Sequence, residues 1–175
     1  MELKGKRVAL LVAKDYEDLE FWYPYYRMME AGAEVVVVGT ADGDETVASK
    51  HGYTAEIDLR ADEALEEAEE LDGLIVPGGW APDRLRRCEK TLELVRALFD
   101  DGEVMAAICH GPQVLISADV VRGRRMTSAP AIRDDMRNAG AIWTDDEVVV
   151  DGNVISSRSP TDLPAFCREI FRALR

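Results

Sequence analysis

Short runs of consecutive apolar residues alternate with longer stretches whose apolar positions recur every three or four residues. Arg7-Val8-Ala9-Leu10-Leu11-Val12-Ala13 is a run of the first kind, and it suits a strand buried on both faces. Asp15 to Glu20 follows as an acidic loop. Phe21 to Ala31 reads as a helix stopped by Gly32, with Pro24 early enough for a first turn. Glu34 to Val38 is a second buried strand. The opening therefore predicts strand, helix and parallel strand, a βαβ unit.

The same alternation continues. Residues 40–60 are polar and turn-rich, and Asp42-Gly43-Asp44 reads as a hairpin turn, since the spacing of an EF-hand is absent. Residues 61–71 predict an acidic, solvated helix. Leu74-Ile75-Val76 predicts a strand running into Pro77-Gly78-Gly79. Glu89 to Asp101 predicts a helix with Leu92, Val95 and Leu98 inward. Val104 to Ile108 is a further strand, stopped by Cys109-His110-Gly111, and Pro112 opens the next helix, to Ser117. Ile132 to Ala139 predicts a short helix ended by Gly140. Residues 148–150 and 154–156 flank the hairpin signature Asp151-Gly152-Asn153, and Leu163 to Leu174 is the last helix. The pattern predicts an α/β sandwich on a mostly parallel sheet, with residues 1–175 forming a single domain. Ligands of such sheets bind at the carboxyl ends of strands. The Pro77-Gly78-Gly79 and Cys109-His110-Gly111 turns are thus expected on one rim.

Composition narrows the partners. A formal net charge of -13 over 175 residues repels phosphate backbones and anionic bilayers, so neither nucleic acid nor membrane is expected as a partner. No apolar run approaches the roughly 18 residues of a membrane span, and the first residues lack signal-peptide character. A cytoplasmic location is the expectation. The three cysteines, Cys88, Cys109 and Cys167, are scattered and odd in number. They predict neither a disulfide framework nor a zinc site, and no metal or organic cofactor is called for.

The chemistry then concentrates on Cys109. A side chain at a bend between a buried strand and a helix start is lifted toward a cleft, and the helix terminus there favours thiolate. Ala106, Ala107 and Gly111 supply the small neighbours that a sharp bend needs. One of the two histidines, His110, follows directly and can take and return a proton. Backbone N–H groups of Gly78 and Gly79, with that of His110, are candidates for an oxyanion hole. Glu17 and Glu20 fall on the same rim, where a buried carboxylic acid could donate to the sulfur or simply favour a helix start, and Glu17 is expected beside the glycine pair on the substrate side. Asp83 could orient an imidazole or cap a helix. Cys88 and Cys167 read as structural, and His51 has no evident partner.

These residues together resemble the PfpI intracellular protease family. The resemblance rests on Ala107-Ile108-Cys109-His110-Gly111-Pro112, Pro77-Gly78-Gly79, Glu20 four residues before Pro24, and Lys50-His51-Gly52-Tyr53. That family belongs with the parkinsonism-associated deglycase superfamily and is distantly related to class I glutamine amidotransferases. The resemblance implies a flavodoxin-like three-layer sandwich with Cys109 as nucleophile, His110 as its partner and Glu20 hydrogen-bonded to the cysteine. It further implies Asp83 as an acidic third member supplied by a neighbouring subunit of a dimer or hexamer. Family members as a rule carry Glu at that place, and Asp is shorter. Ala129 stands where an aromatic residue is frequent, which predicts a reshaped pocket. Residues 156–162 hold no histidine, which argues against glutaminase chemistry. The implied activity is that of a cysteine hydrolase acting on peptides, on a small aldehyde such as methylglyoxal, or on glycated protein. The rival reading is a redox-sensing or chaperone-like stress protein, in which the thiol is oxidised instead.

Overall fold

The computed structural model describes residues 2–175. The chain runs from β1 (Arg7–Leu11) through α1 (Asp18–Ala31) to β2 (Glu34–Gly39). A hairpin of β3 (Thr46–Ala48) and β4 (Thr54–Glu56) follows, then β5 (Leu59–Arg60), α2 (Ala61–Glu66) and β6 (Gly73–Val76). Next come α3 (Ala81–Leu85), α4 (Glu89–Asp100), β7 (Val104–Ile108) and α5 (Pro112–Ser117). The chain closes with β8 (Arg125–Met126), α6 (Arg133–Asn138), β9 (Ile142–Trp143), β10 (Val148–Asp151), β11 (Val154–Ser157) and α7 (Leu163–Leu174).

Seven strands form the central sheet in the order β10-β11-β7-β6-β1-β2-β5. Every neighbouring pair is parallel except β10 with β11. The winding direction reverses at β1, which has β2 on one side and β6 on the other. Right-handed crossovers in opposite directions put helices on opposite faces. Accordingly α1 packs with α7, whereas α2 packs with α4 and α4 with α5. Strands enclosed by two helical layers must be apolar throughout, and Val8 to Leu11, Leu74 to Val76 and Met105 to Ile108 are all buried. Each large aliphatic side chain among them contributes roughly 1.5–3 kcal/mol by leaving water.

At one edge the sheet stops with the two-residue β5. At the other, β10 lies against β8, and the Arg125 N–H donates to the Asp151 carboxylate at 2.7 Å.

Three expected boundaries move. Helix α1 starts at Asp18, so the acidic "loop" is its cap and first turn: Glu17 accepts the Glu20 N–H at 2.8 Å. A side chain that satisfies a free helical N–H stabilises the end by about 1 kcal/mol. The hairpin is β3–β4, not a turn at 42–44. Its tip closes because Ser49 Oγ accepts the N–H groups of His51 and Tyr53. Residues 40–43 make only a turn between β2 and β3, with Gly43 N–H donating to Thr40 at 3.2 Å. The acidic helix ends at Glu66, followed by a 3-10 turn over Ala68–Glu70.

Candidate active site

Strand β7 delivers Cys109 to the rim and α5 leads away from it. Between them Cys109 holds φ 60°, a left-handed conformation that costs a side-chain-bearing residue about 1–2 kcal/mol. Two hydrogen bonds keep it there. The Cys109 N–H donates to Ser157 of β11 at 3.0 Å, and its carbonyl accepts from Ala129 at 2.9 Å. Ala129 is buried and ties down the elbow. Gly111 is required by space: a Cβ there would collide with the Val76 carbonyl oxygen.

Glu20 comes up from the first turn of α1 and is fully buried. Its Oε2 accepts the Gly78 N–H at 2.7 Å, while Oε1 has no hydrogen-bond partner. A Cβ on Gly78 would lie 2.5 Å from Glu20 Oε2 and 2.9 Å from Cys109 Cβ, so the missing side chain is what lets acid and cysteine meet. Burial pushes the Glu20 carboxyl up to about 8, against the Gly78 hydrogen bond and with the nearby Glu17 charge adding to it. Burial likewise pushes the Cys109 thiol up to about 12, reinforced by the like charge of an ionised Glu20 and opposed by the His110 N–H. Two adjacent buried acids of this kind titrate as a pair. With Glu20 protonated, the repulsion that its ionised form would place on the Cys109 sulfur is absent.

Burial and the site's hydrogen bonds pull the sulfur in opposite directions. Desolvation disfavours the charged form of the half-buried sulfur, and the His110 N–H favours it. The base is nevertheless in place. His110 Nδ1 lies 3.3 Å from Cys109 Sγ, and burial lowers the imidazole pKa, aided by the Lys50 charge. A neutral ring beside a neutral thiol can take the proton at the moment of attack.

The glycine pair divides its tasks. Gly78 N–H is committed to Glu20 and is not free to hold an oxyanion. Gly79, at φ 74°, brings α3 against the loop after β1, where a Cβ would stand 2.5 Å from Glu17 N. Glu17 N–H donates to Gly78 and Trp80 N–H to Asp15, at 3.2 and 2.9 Å. The Gly79 N–H makes no hydrogen bond to the described residues, and Gly79 lines the same cleft as His110, whose N–H meets the Cys109 sulfur.

Beside His110 opens a cleft of about 390 Å³ lined by Gly79, Trp80, Asp83, Arg84, His110 and Gln113. Asp83 shares this cleft but does not hydrogen-bond His110. It is exposed in the short α3, 3.6 Å from Arg87. Glu17, expected on the substrate side of the rim, acts here as a helix cap whose carboxylate accepts the Glu20 N–H. His51 has a partner that spacing did not reveal: its Nδ1 lies 2.8 Å from Asp18 Oδ2, and Ser49 donates to the other Asp18 oxygen. Cys167 is buried and Cys88 half-buried with its sulfur near Ala41 N–H, 3.5 Å away. The 156–162 segment carries an Arg158 ion pair with Asp162 at 2.9 Å and with Asp145 at 2.8 Å. Sequence reasoning missed Ser157, whose contribution is a main-chain carbonyl, and Trp80, hidden beside the glycine pair.

Fold and elbow define a class: flavodoxin-like sandwiches that present a cysteine at a strand-to-helix bend over a buried glutamate. The chain belongs to the DJ-1/PfpI family, whose model matches residues 6–173. It is 50% identical over 169 residues to Deglycase PYRAB04690 of Pyrococcus abyssi, covering 97% of this chain and 99% of that one. It is 42% identical over 173 residues to Protein/nucleic acid deglycase 2 of Escherichia coli, covering 97% and 98%. Among solved structures, a two-domain Anabaena variabilis protein with DJ-1/ThiJ/PfpI-like and ferritin-like domains aligns with a TM-score of 0.92 and 43% identity. That alignment takes in 97% of this chain and 48% of the Anabaena chain, so this chain spans about half of that protein.

Proposed function

We propose that the protein is a cysteine-dependent hydrolase that removes methylglyoxal-type adducts from amines and consumes the free aldehyde. The observation that carries this reading is the Cys109 sulfur, 3.3 Å from His110 Nδ1 at a strained elbow. The names of the 50% and 42% identical relatives support deglycation over peptide cleavage. So does the small cleft, which suits a short adduct better than an extended chain.

In this reading His110 accepts the thiol proton as sulfur attacks the adduct's carbinol carbon. The C–S bond forms, the C–N bond breaks, and His110 returns the proton to the leaving nitrogen. Free aldehyde enters the same hemithioacetal by simple addition. A proton then moves from the sulfur-bearing carbon to the neighbouring carbonyl carbon, giving the thioester of a 2-hydroxy acid. Water hydrolyses that thioester and restores the thiol. One water is consumed, and the aldehyde carbon is oxidised as its neighbour is reduced, so no external oxidant enters. Gly79 and His110 N–H groups hold the oxyanion, and protonated Glu20 donates toward sulfur.

The exposed Asp83 suits delivery to His110 of a second copy, in a dimer or hexamer with the site near the interface. Among the described residues no helix is long and apolar enough to cross a membrane, and action in the cytoplasm fits the unpaired cysteines. The test compares wild type with Cys109→Ser for methylglyoxal loss, lactate formation and release of Nα-acetylarginine from its adduct. Turnover by wild type alone is expected. A wild type that turns over none of these, yet oxidises readily at Cys109, transfers the assignment to redox sensing.

A further inference from the structure

Tryptophan is the bulkiest side chain, and this protein has three. Two are packed: Trp22 sits among Phe21, Tyr25, Tyr26 and Tyr53, and Trp143 lies under Arg137 and donates to Ser128 at 2.9 Å. Trp80 is 69% exposed, and none of the ring pairs or ring–cation contacts among the described residues includes it. Its backbone is fixed, since it caps α3 and donates to Asp15 at 2.9 Å. A large indole held at a rigid position, unpacked and lining the same cleft as His110, has the form of a recognition surface.

The electrostatics select its ligand. An indole face attracts cations, guanidinium planes above all. Asp83 is engaged by Arg87 at 3.6 Å and, in the reading above, serves a second copy, which leaves the indole face as the cation-attracting surface of the cleft. Arg84, the cation lining the cleft, is tied to Asp15 at 2.8 Å and to the Lys14 carbonyl at 3.2 Å. Over the whole molecule the charge is -13, which draws in cationic side chains and repels polyanions. We infer that Trp80 is a specificity-determining residue whose indole stacks on the guanidinium of an arginine adduct and places its carbinol carbon at Cys109. This rests on the deglycase reading above and deepens it, because free aldehyde has no group for Trp80 to hold.

The experiment measures kcat and KM of wild type, Trp80→Ala and Trp80→Phe on three substrates. These are the methylglyoxal adduct of Nα-acetylarginine amide, that of guanosine monophosphate, and free methylglyoxal. Trp80→Ala is expected to raise KM for the arginine adduct about fivefold with kcat held, the scale of one cation–π contact. Trp80→Phe should restore most of the loss, and free methylglyoxal should change by less than about twofold. An unchanged KM, an equal loss on all three substrates, or a larger loss with the guanosine adduct overturns the inference. Binding is read separately in Cys109→Ser, where Nα-acetylarginine amide should quench tryptophan fluorescence and Trp80→Phe should abolish the quench. No quench in Cys109→Ser overturns the role of Trp80 whether or not wild type turns over, whereas a quench without turnover sinks only the deglycase reading.

Discussion

Replacing Glu20 with Gln should make the protein more stable at neutral pH while making it a poorer enzyme. The carboxyl is fully buried and its pKa stands at about 8 in place of 4.5. Between those values the folded state holds a proton that the unfolded chain has released, so stability falls as pH rises through that window. Below it both states are protonated and the group contributes no difference. At pH 7 the cost is about 3 kcal/mol, approaching about 5 kcal/mol above pH 8. Glutamine carries no proton to lose, and its amide oxygen can still accept the Gly78 N–H, now 2.7 Å from Glu20 Oε2. Urea midpoints of both proteins from pH 4.5 to 8.5 provide the assay. The Glu20→Gln protein should match wild type near pH 4.5 and gain progressively above it. At pH 7 the gain corresponds to a rise in Tm of roughly 5–10 °C for a chain of this size. Parallel curves for the two proteins across the range would show that Glu20 is not buried as an acid, and the account of the Cys109 environment would fall with it. Lower turnover in the more stable variant would fit the usual conflict between a functional site and stability.

Other outcomes test the remaining parts of the site. Gly111→Ala should cost about 2–3 kcal/mol or more by urea midpoint, because its Cβ meets the Val76 carbonyl; an unchanged midpoint would mean that the elbow is looser than described. Cys109→Gly should be more stable than Cys109→Ala by about 1 kcal/mol, since only glycine adopts φ 60° without strain. Equal midpoints for that pair would remove the strain argument. The acid limb of kcat/KM should fall below the ordinary histidine pKa of 6.5, as burial lowers His110, and a limb above 6.5 would reassign the base.

Much of this arrangement was legible in the chain because burial on two faces writes itself as unbroken apolar runs. β1, β2, β6 and β7 announced themselves in that way, and the abrupt end of β7 marked Cys109. Less visible were features carried by the main chain or by partners distant in sequence. Glu17 and Glu20 looked like a solvated acidic loop, since the capping bond that makes them helical is a matter of geometry. The proximity of Cys109 to Glu20, 89 residues away in the chain, is invisible to local reading and entered only through the family resemblance. β8 and β9, at two residues each, are too short to show any period.

The edges of the central sheet bear on how copies of this protein meet. β5 offers two residues of ladder on one side, and β8 with its Arg125–Asp151 contact blunts the other. At the β5 side a neighbouring molecule therefore finds only two residues of ladder to zip onto, and at the β10 side it meets β8 and a charged Asp151 beside the strand end, both of which discourage growth by strand addition. Short, crowded edges of this kind favour contacts made by side chains over contacts made by a shared ladder.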